Sequence, residues 1–232
     1  MLILELLEKR RLLKEKRTKY VGRFYEDFLE PMITNKNDKQ LKKKLRVTSK
    51  SFNYITDLVY RSNTFSFWQE KNTKNTYYVP VAKQVALFLY FLSRNNFYDD
   101  IADYFGLGGS NTVSIIIERV SKAIIEYKSV FIKGHTEETK RQMLLDANDR
   151  GFTHCIGIID GVVNTITNFD KEFPHSWTTR KSVYAIVSMV ICDIRGNILW
   201  YSTGHCGSRN DRGIFKSDVL PAIDEITNSI QY

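Results

Sequence analysis

Two aspartates stand where this chain could hold a divalent cation. Asp160 follows the aliphatic run "IGII" and precedes Gly161, and Asp211 lies behind a glycine turn in "GSRNDRGIF". The aliphatic run reads as a buried strand, so Asp160 falls at its end, the edge of a sheet where ligands and metals collect. Asp211 follows the second strand of a hairpin. If that hairpin leaves from beside the first strand and returns next to it, both carboxylates face one spot. Hard cations such as Mg²⁺ or Mn²⁺ take such oxygen ligands. Two ions held together activate water and stabilise the leaving oxygen in phosphodiester cleavage. The plainer readings are a helix cap for Asp211, a position Asp favours, and a turn residue for Asp160.

Histidine and cysteine offer a second metal chemistry and do not sustain it. His154–Cys155 and His205–Cys206 are adjacent pairs, with Cys192 alone. Neighbours on a strand point to opposite faces, so neither pair shares one ion easily. The C-x-x-C spacing usual in structural zinc sites is absent. Buried thiols and surface histidines are expected instead. Three scattered cysteines argue against a disulfide framework and for a reducing compartment. No P-loop, G-x-G-x-x-G or G-x-S-x-G occurs, and "GLGGS" lacks both the lysine and a preceding strand.

Charge points to nucleic acid. The net charge is +8, and the first fifty residues hold 15 Lys/Arg against 7 Asp/Glu, whereas the remainder holds 19 of each. The excess is densest at "KNDKQLKKKLR", with Lys42, Lys43 and Lys44 at its centre. A basic segment on a neutral body is a phosphate-binding arm or a solvated linker.

A second candidate surface lies in "NNFYDDIADYFGLGGSNTVSIIIERVSKAII". Asp99–Phe105 reads as a short helix and "GLGGS" as a turn. Ser110 or Asn111 then caps a longer helix with Val113, Ile116, Ile117, Val120 and Ile124 on one buried stripe. This is the pattern of a helix-turn-helix, whose second helix enters the major groove by its N-terminal residues. Those residues are Ser110, Asn111, Thr112 and Ser114, with Arg119 a turn further on. They suit backbone and base-edge contacts, and equally the cap of a plain αα-hairpin.

The remaining elements follow from periodicity. Residues 2–30 read as an amphipathic helix ended by Pro31, and 34–46 as a basic linker. Thr48–Tyr60 is a capped helix with Phe52, Ile55 and Val59 on one face. "RSNTFSFWQEKNTKNTYY" is loop. Pro80 opens a helix whose Val81, Val85, Phe88, Leu89 and Leu92 face the core. From residue 152 the runs "HCIGIIDG", "VVNTITN", "SVYAIVSMVICDI" and "NILWYSTG" are strands. "DIRGN" joins the last two into an antiparallel hairpin, and its first strand, apolar on both faces, is central. The class is α/β, a helical half followed by a mixed sheet. No run of about 18 apolar residues exists, so no membrane span is expected, and "MLILELLEKRR" reverses the charge order of a signal peptide.

Four stretches together resemble the PIF/Harbinger transposases and the nucleases derived from them. They are "LRVTSKSFNYITDLV", "VPVAKQVALFLYFLSRNNFYDDIADYFGLGGSNTVSIIIERVSKAI", "IGIIDG" and "CDIRGNILWYSTGHCGSRNDRGIF". The resemblance implies a helix-turn-helix ahead of an RNase H-like sheet with a DDE metal triad, Asp160 its first acid and Asp211 its second. It makes Arg180 and Lys181 phosphate contacts. It implies duplex DNA, such as transposon ends, as partner, with self-association or a Myb-like partner protein and a nuclear location. The expected organisation is a basic helical arm and linker over 1–46, the helix-turn-helix region over 47–135, and a partial RNase H-like nuclease domain over 150–232. The family's third acid comes from a helix well after the second aspartate, and this chain stops at Tyr232. Asp218, Asp224 and Glu225 lie too close to Asp211 to replace it, and "VVN" stands where the family has Thr-His. The expectation is therefore a Mg²⁺- or Mn²⁺-dependent DNA endonuclease whose catalytic set is incomplete. Its rival is a non-catalytic DNA-binding protein from a decayed or domesticated transposon.

Overall fold

The computed structural model describes residues 23–66, 79–94, 96–132, 134, 136–167, 172 and 174–223. Most of the helix expected over 2–30, most of the expected 61–78 loop, and Asp224 and Glu225 lie outside the described residues. The chain divides between Tyr127 and Lys128 into two compact units, each with its own apolar core.

In the first unit a π-helical turn, Tyr25–Leu29, runs into α1 (Glu30–Thr34). The basic stretch that follows is not a linker. It forms α2 (Asp38–Leu45), because the Asn37 side chain accepts from the Gln40 N–H and because Leu41 and Leu45, one turn apart, are fully buried. Burying each is worth about 1.5–3 kcal/mol, enough to outweigh the charge of the lysines between them. Those lysines occupy the last turn, where the helix dipole favours cations. Asp38 ties α2 to α3 (Ser49–Arg61), its Oδ1 accepting from the Ser49 N–H at 2.7 Å and the Ser49 hydroxyl at 2.6 Å. These two bonds hold its carboxyl below the usual carboxylate range.

The apolar helix after Pro80 is α4 (Val81–Arg94). Its expected stripe is buried except for Leu92, which is exposed, while Ala86, Leu87 and Tyr90 are buried as well. The helix is wrapped on nearly all sides until its last turn. There Ser93 Oγ donates to the Lys44 carbonyl and Arg94 Nη2 to that of Lys43, which holds the α4 C-terminus against α2 and leaves Leu92 outside. Then come α5 (Tyr98–Phe105) and α6 (Ser110–Ile125). Gly106 ends α5 in the left-handed region that only glycine adopts freely. The expected cap of α6 moves to Gly109, whose carbonyl accepts from the N–H groups of Thr112 and Val113. Its φ of +144° frees Ser110 and Asn111 from capping.

In the second unit α7 (Lys128–Phe131) precedes α8 (Glu137–Asp149), whose N-cap is Thr136. α8 has no clear apolar stripe, since Met143 and Ala147 are its only buried residues. The sheet has three described strands, β1 (Ile158–Thr165), β2 (Ala185–Cys192) and β3 (Ile198–Cys206), in the order β1-β2-β3 and antiparallel throughout. β2 is central, as its two-faced apolar pattern implied. The mixed sheet is not seen among the described strands. Asp160 does not end β1. "IGIIDG" and "VVNTITN" merge into one strand running on to Thr165, with Asp160 opposite Val190 and Gly161 opposite Met189.

Residues opposite one another share a face. Val187, Met189 and Ile191 pack with Leu199, Ile214 and Val219 on one face of the sheet. That face carries α10 (Asp211–Ile214), which passes into a π-helical turn, Phe215–Val219. The short α9 (Pro174–Trp177) leads to β2 through a turn closed by Thr179 and Val183. At the other end Asp193 organises the β2–β3 turn, its carboxylate accepting from the Arg195 and Asn197 N–H groups.

The burial pattern in α2 gives a direct test. Leu45→Ala should cost about 2–5 kcal/mol of stability, as truncation of a buried leucine does. Replacing Lys42, Lys43 and Lys44 together by Ala should cost no more than about 1 kcal/mol. Denaturant unfolding followed by far-UV circular dichroism reads both, and a costless Leu45→Ala would return this stretch to a linker.

Candidate metal centre and nucleic-acid surface

β3 does not return beside β1, since β2 lies between them. Asp211 reaches β1 by another route. The chain leaves β3 at Cys206, turns through 207–210 and starts α10 across the covered face. The turn is fixed along its length. Gly207 lies so close to α9 that a Cβ there would sit 2.2 Å from the Trp177 carbonyl oxygen. The Ser208 N–H donates to the Ser176 carbonyl, and the Asn210 side chain accepts from the Gly213 N–H at 2.7 Å. Asn210, not Asp211, is therefore the cap of α10.

This leaves the Asp211 carboxylate unused by its own helix. It lies against Gly161. A Cβ added there would meet Asp211 Oδ1 at 2.6 Å and Cγ at 3.1 Å. The glycine of "IGIIDG" is thus the space that the second aspartate occupies. Asp160 is the next residue along the strand and leaves from the opposite face, as neighbours do. It folds back so that its Oδ1 accepts from the Gly161 N–H at 2.8 Å. The two carboxylates, both exposed, are brought to consecutive positions on β1 and not onto one side of it. Each is a hard oxygen ligand open to water, the kind a Mg²⁺-like cation takes while keeping several of its waters, and one ion reaches both only if Asp160 leaves the Gly161 N–H. Among the described residues no cluster of three or more His, Cys, Asp or Glu side chains could hold a metal ion.

The other candidates of this unit separate from the pair. Arg180 and Lys181 are exposed at the tip of the turn before β2. Val190 lies opposite Asp160, and Val183 is seven residues earlier, roughly 24 Å along an extended strand. Asp218 is held by β3 and its own turn. It accepts from Ser202 Oγ at 2.7 Å and from Ser217 Oγ, and lies 3.4 Å from His205 Nε2. The Ser217 bond first, then that of Ser202, holds its carboxyl below the usual range. His205, expected on the surface, is 9% exposed, because β3 turns it towards these groups. The three cysteines are half-buried and unpaired. A cleft of about 410 Å³ between α8 and the β2–β3 turn is lined by neither Asp160 nor Asp211.

In the helical unit Arg119 is engaged within the bundle. Its Nη1 donates to Gln84 Oε1 at 3.0 Å and its guanidinium lies over the Phe65 ring. Two contacts set the direction of the helices. Gln84, near the start of α4, meets Arg119 past the middle of α6, and Tyr90, near the end of α4, packs on Phe105 just ahead of α6, so the two run antiparallel. Gln84 to Arg94 spans about 15 Å at 1.5 Å per residue, and Arg119 back to Ser110 about 14 Å. The N-terminus of α6 therefore reaches the end of the bundle where α4 finishes on α2. At the opposite end Glu126 accepts from the Asn63 and Thr64 N–H groups, so α3 also begins at the α2 end. That pole gathers the starts of α3 and α6 with exposed Lys39, Lys42, Lys43, Arg46, Lys50 and Arg94, while Lys44 is half-buried with its Nζ over Phe24. Asn111 and Ser114 are exposed there, and Ser110 and Thr112 half-exposed. The exposed α5 residues Asp99, Asp100 and Asp103 are acidic. Among the described residues no helix is long and apolar enough to cross a membrane.

Comparison with known proteins adds relatives. The chain is 25% identical over 144 residues to the Xenopus laevis protein named "Putative nuclease HARBI1", covering 61% of this chain and 41% of that one. The Homo sapiens and Mus musculus proteins of the same name are 26% and 27% identical over 139 residues, covering 59% of this chain and 39% of theirs. The chain spans about two fifths of the length of these curated relatives. No family model matches it, and no solved structure does.

The two tight glycines should respond differently. Gly207→Ala drives a Cβ into backbone and should cost about 1–3 kcal/mol or more, as overpacking does. Gly161→Ala meets only the end of a side chain. It should leave the thermal unfolding midpoint nearly unchanged while shifting the ¹³C resonance of the Asp211 carboxyl. Equal destabilisation by both would mean that the Asp211 side chain cannot yield to the added Cβ.

Proposed function

We propose, for this relative of the Harbinger transposase-derived nucleases, a DNA-binding protein whose sheet unit is an RNase H-like, DDE-type nuclease centre with Asp160 and Asp211 as its first two acids. The observation that carries this reading is the Asp211 carboxylate resting on Gly161, one residue from Asp160. When bound, a Mg²⁺ or Mn²⁺ ion supplies polarisation of a phosphodiester and activation of water. The chain's own part is to present oxygen ligands. Asp211 is released for this by the Asn210 cap, and Asp160 is free to swing from the Gly161 N–H because it is exposed. Two carboxylates do not build a two-ion centre, so a site made of Asp160 and Asp211 alone should bind the ion weakly and should not nick plasmid DNA. Nicking abolished by Asp211→Ala would show that two acids suffice. The rival, a non-catalytic DNA-binding protein, is favoured if neither ion binding nor nicking depends on them.

The helical unit is the DNA holder in this reading. Asn111, Thr112 and Ser114 at the start of α6 read base edges, with Ser110 at the backbone, and the α2 lysines take phosphates beside them. The exposed acids of α5 repel phosphate, so the backbone runs on the α2 side. Arg119 braces the bundle through Gln84 and Phe65. Arg180 and Lys181, in the turn just beyond Val183 and so more than roughly 24 Å along the sheet from Asp160, suit phosphates about seven or more nucleotides away at about 3.4 Å per nucleotide. A nuclear location, and self-association or a Myb-like partner, belong to the same proposal.

Two measurements test it. Mn²⁺ should broaden the amide resonances of Asp160, Gly161 and Asp211 first, and Asp160→Asn or Asp211→Asn should abolish this; broadening centred elsewhere removes the site. For DNA, changing Lys42, Lys43 and Lys44 to Ala should flatten the salt dependence of duplex binding by about two to three units. Asn111→Ala should cost about 1–3 kcal/mol on a preferred sequence and little on random DNA. An unchanged slope would take α2 out of the interface.

A further inference from the structure

Five side chains of the sheet unit close a ring of hydrogen bonds around the turn that carries Asp211. Arg209 Nη1 lies 3.3 Å from His205 Nδ1, and His205 Nε2 lies 2.8 Å from Ser202 Oγ. Ser202 Oγ donates to Asp218 Oδ2 at 2.7 Å, Ser217 Oγ to Asp218 Oδ1, and Arg209 Nη2 to Ser217 Oγ at 2.8 Å. Arginine only donates, so at its contact His205 Nδ1 accepts and the ring proton lies on Nε2. That proton goes to Ser202, whose own proton goes to Asp218. Ser217 accepts from Arg209 and gives its proton to the other carboxylate oxygen.

This arrangement excludes a nucleophilic serine. Activation of Ser202 needs an imidazole nitrogen free to take its proton, and here that nitrogen already carries one. What the ring does is mechanical. It joins the end of β3, through Arg209, to the turn after α10, and so encloses residues 207–214. We propose that it is the brace that sets the Asp211 carboxylate against Gly161, with His205 and Arg209 as positioning residues. Its meaning for metal binding rests on the reading of Asp211 as a ligand, but the brace itself does not.

The full chain tests this with four variants. Arg209→Met and His205→Phe break the ring, and Arg209 is exposed, so its loss spares the core. Arg209→Lys keeps the charge but lacks the fork needed to reach both His205 and Ser217. His205→Gln keeps one acceptor and one donor. Hydrogen exchange at the Gly213 amide, held by the Asn210 cap, and the ¹³C resonance of the Asp211 carboxyl read the brace without metal. Arg209→Met, Arg209→Lys and His205→Phe should raise Gly213 exchange about tenfold or more and shift the Asp211 resonance, while exchange at Met189 in β2 stays unchanged. His205→Gln should stay within about twofold of the parent. Unchanged Gly213 exchange and Asp211 resonance, an equal rise at Met189, or no rescue by His205→Gln would overturn the proposal. Mn²⁺ broadening at Gly161, lost in Asp211→Asn, separately judges the ligand reading.

Discussion

A missing side chain organises the sheet unit. Gly161 has no Cβ, and the space it leaves is filled by the carboxylate of Asp211 from across the covered face. The positions of the turn, of α10 and of the Asn210 cap all serve that contact. Were Asn210 any residue without a side-chain acceptor, Asp211 would become the nearest carboxylate to the free N–H groups of α10 and would be drawn to them, since helix N-termini attract anions. The division of labour between Asn210 and Asp211 keeps one carboxylate uncommitted beside another. Hydrogen bonding elsewhere in the unit follows the same economy. Asp193 is spent on its turn, Asp146 on Arg195 and Asp218 on two serines, so among these acids none competes with Asp211.

The helical unit is built on a comparable opposition. α4 is buried on nearly all sides and fixes the helices around it, at one end through Gln84 and Arg119 and at the other through Ser93 and Arg94. The outcome is a bundle with a polar, cationic end at which two helices begin. Helix N-termini carry partial positive charge, and here they add to lysines and arginines held in place by Leu41 and Leu45. Without those leucines the same cations would hang on a flexible chain and their ordering would have to be met on binding. The acidic exposed side of α5 gives the pole a direction, because a polyanion approaching it is turned towards α2.

Much of this was legible in the residues. The stripes of α3, α4 and α6 are long and regularly spaced, and apart from the exposed Leu92 each formed where periodicity placed it. The β2–β3 hairpin followed from its turn signal and two-faced strand. What failed did so for identifiable reasons. Residues 34–46 look like a linker because lysines dominate them, yet two leucines four apart with an Asn ahead were enough for a helix. Asp160 looked like a strand end because glycine follows it, and only a tertiary contact makes glycine acceptable in mid-strand. α8 shows too few apolar residues to register. The route from β3 to β1 is a matter of strand order, which spacing alone does not disclose. His205 and Arg209 lie in the stretch that carries the resemblance, but nothing in their spacing assigns them a role. Their roles come from partners that the fold supplies, although Asn210 ahead of Asp211 was a readable cap.

The proposed centre requires Asp160 to swing from the Gly161 N–H so that it and Asp211 meet one cation at β1. Iron(II) in place of magnesium, with ascorbate and peroxide, generates hydroxyl radicals at the bound ion and cuts the backbone around it. Cuts are expected in two places far apart in sequence, around Asp160–Gly161 and around Asn210–Asp211, and both should disappear with excess Mg²⁺ or in Asp211→Asn. Cuts confined to one of these segments, or falling at the histidines instead, would contradict a shared site.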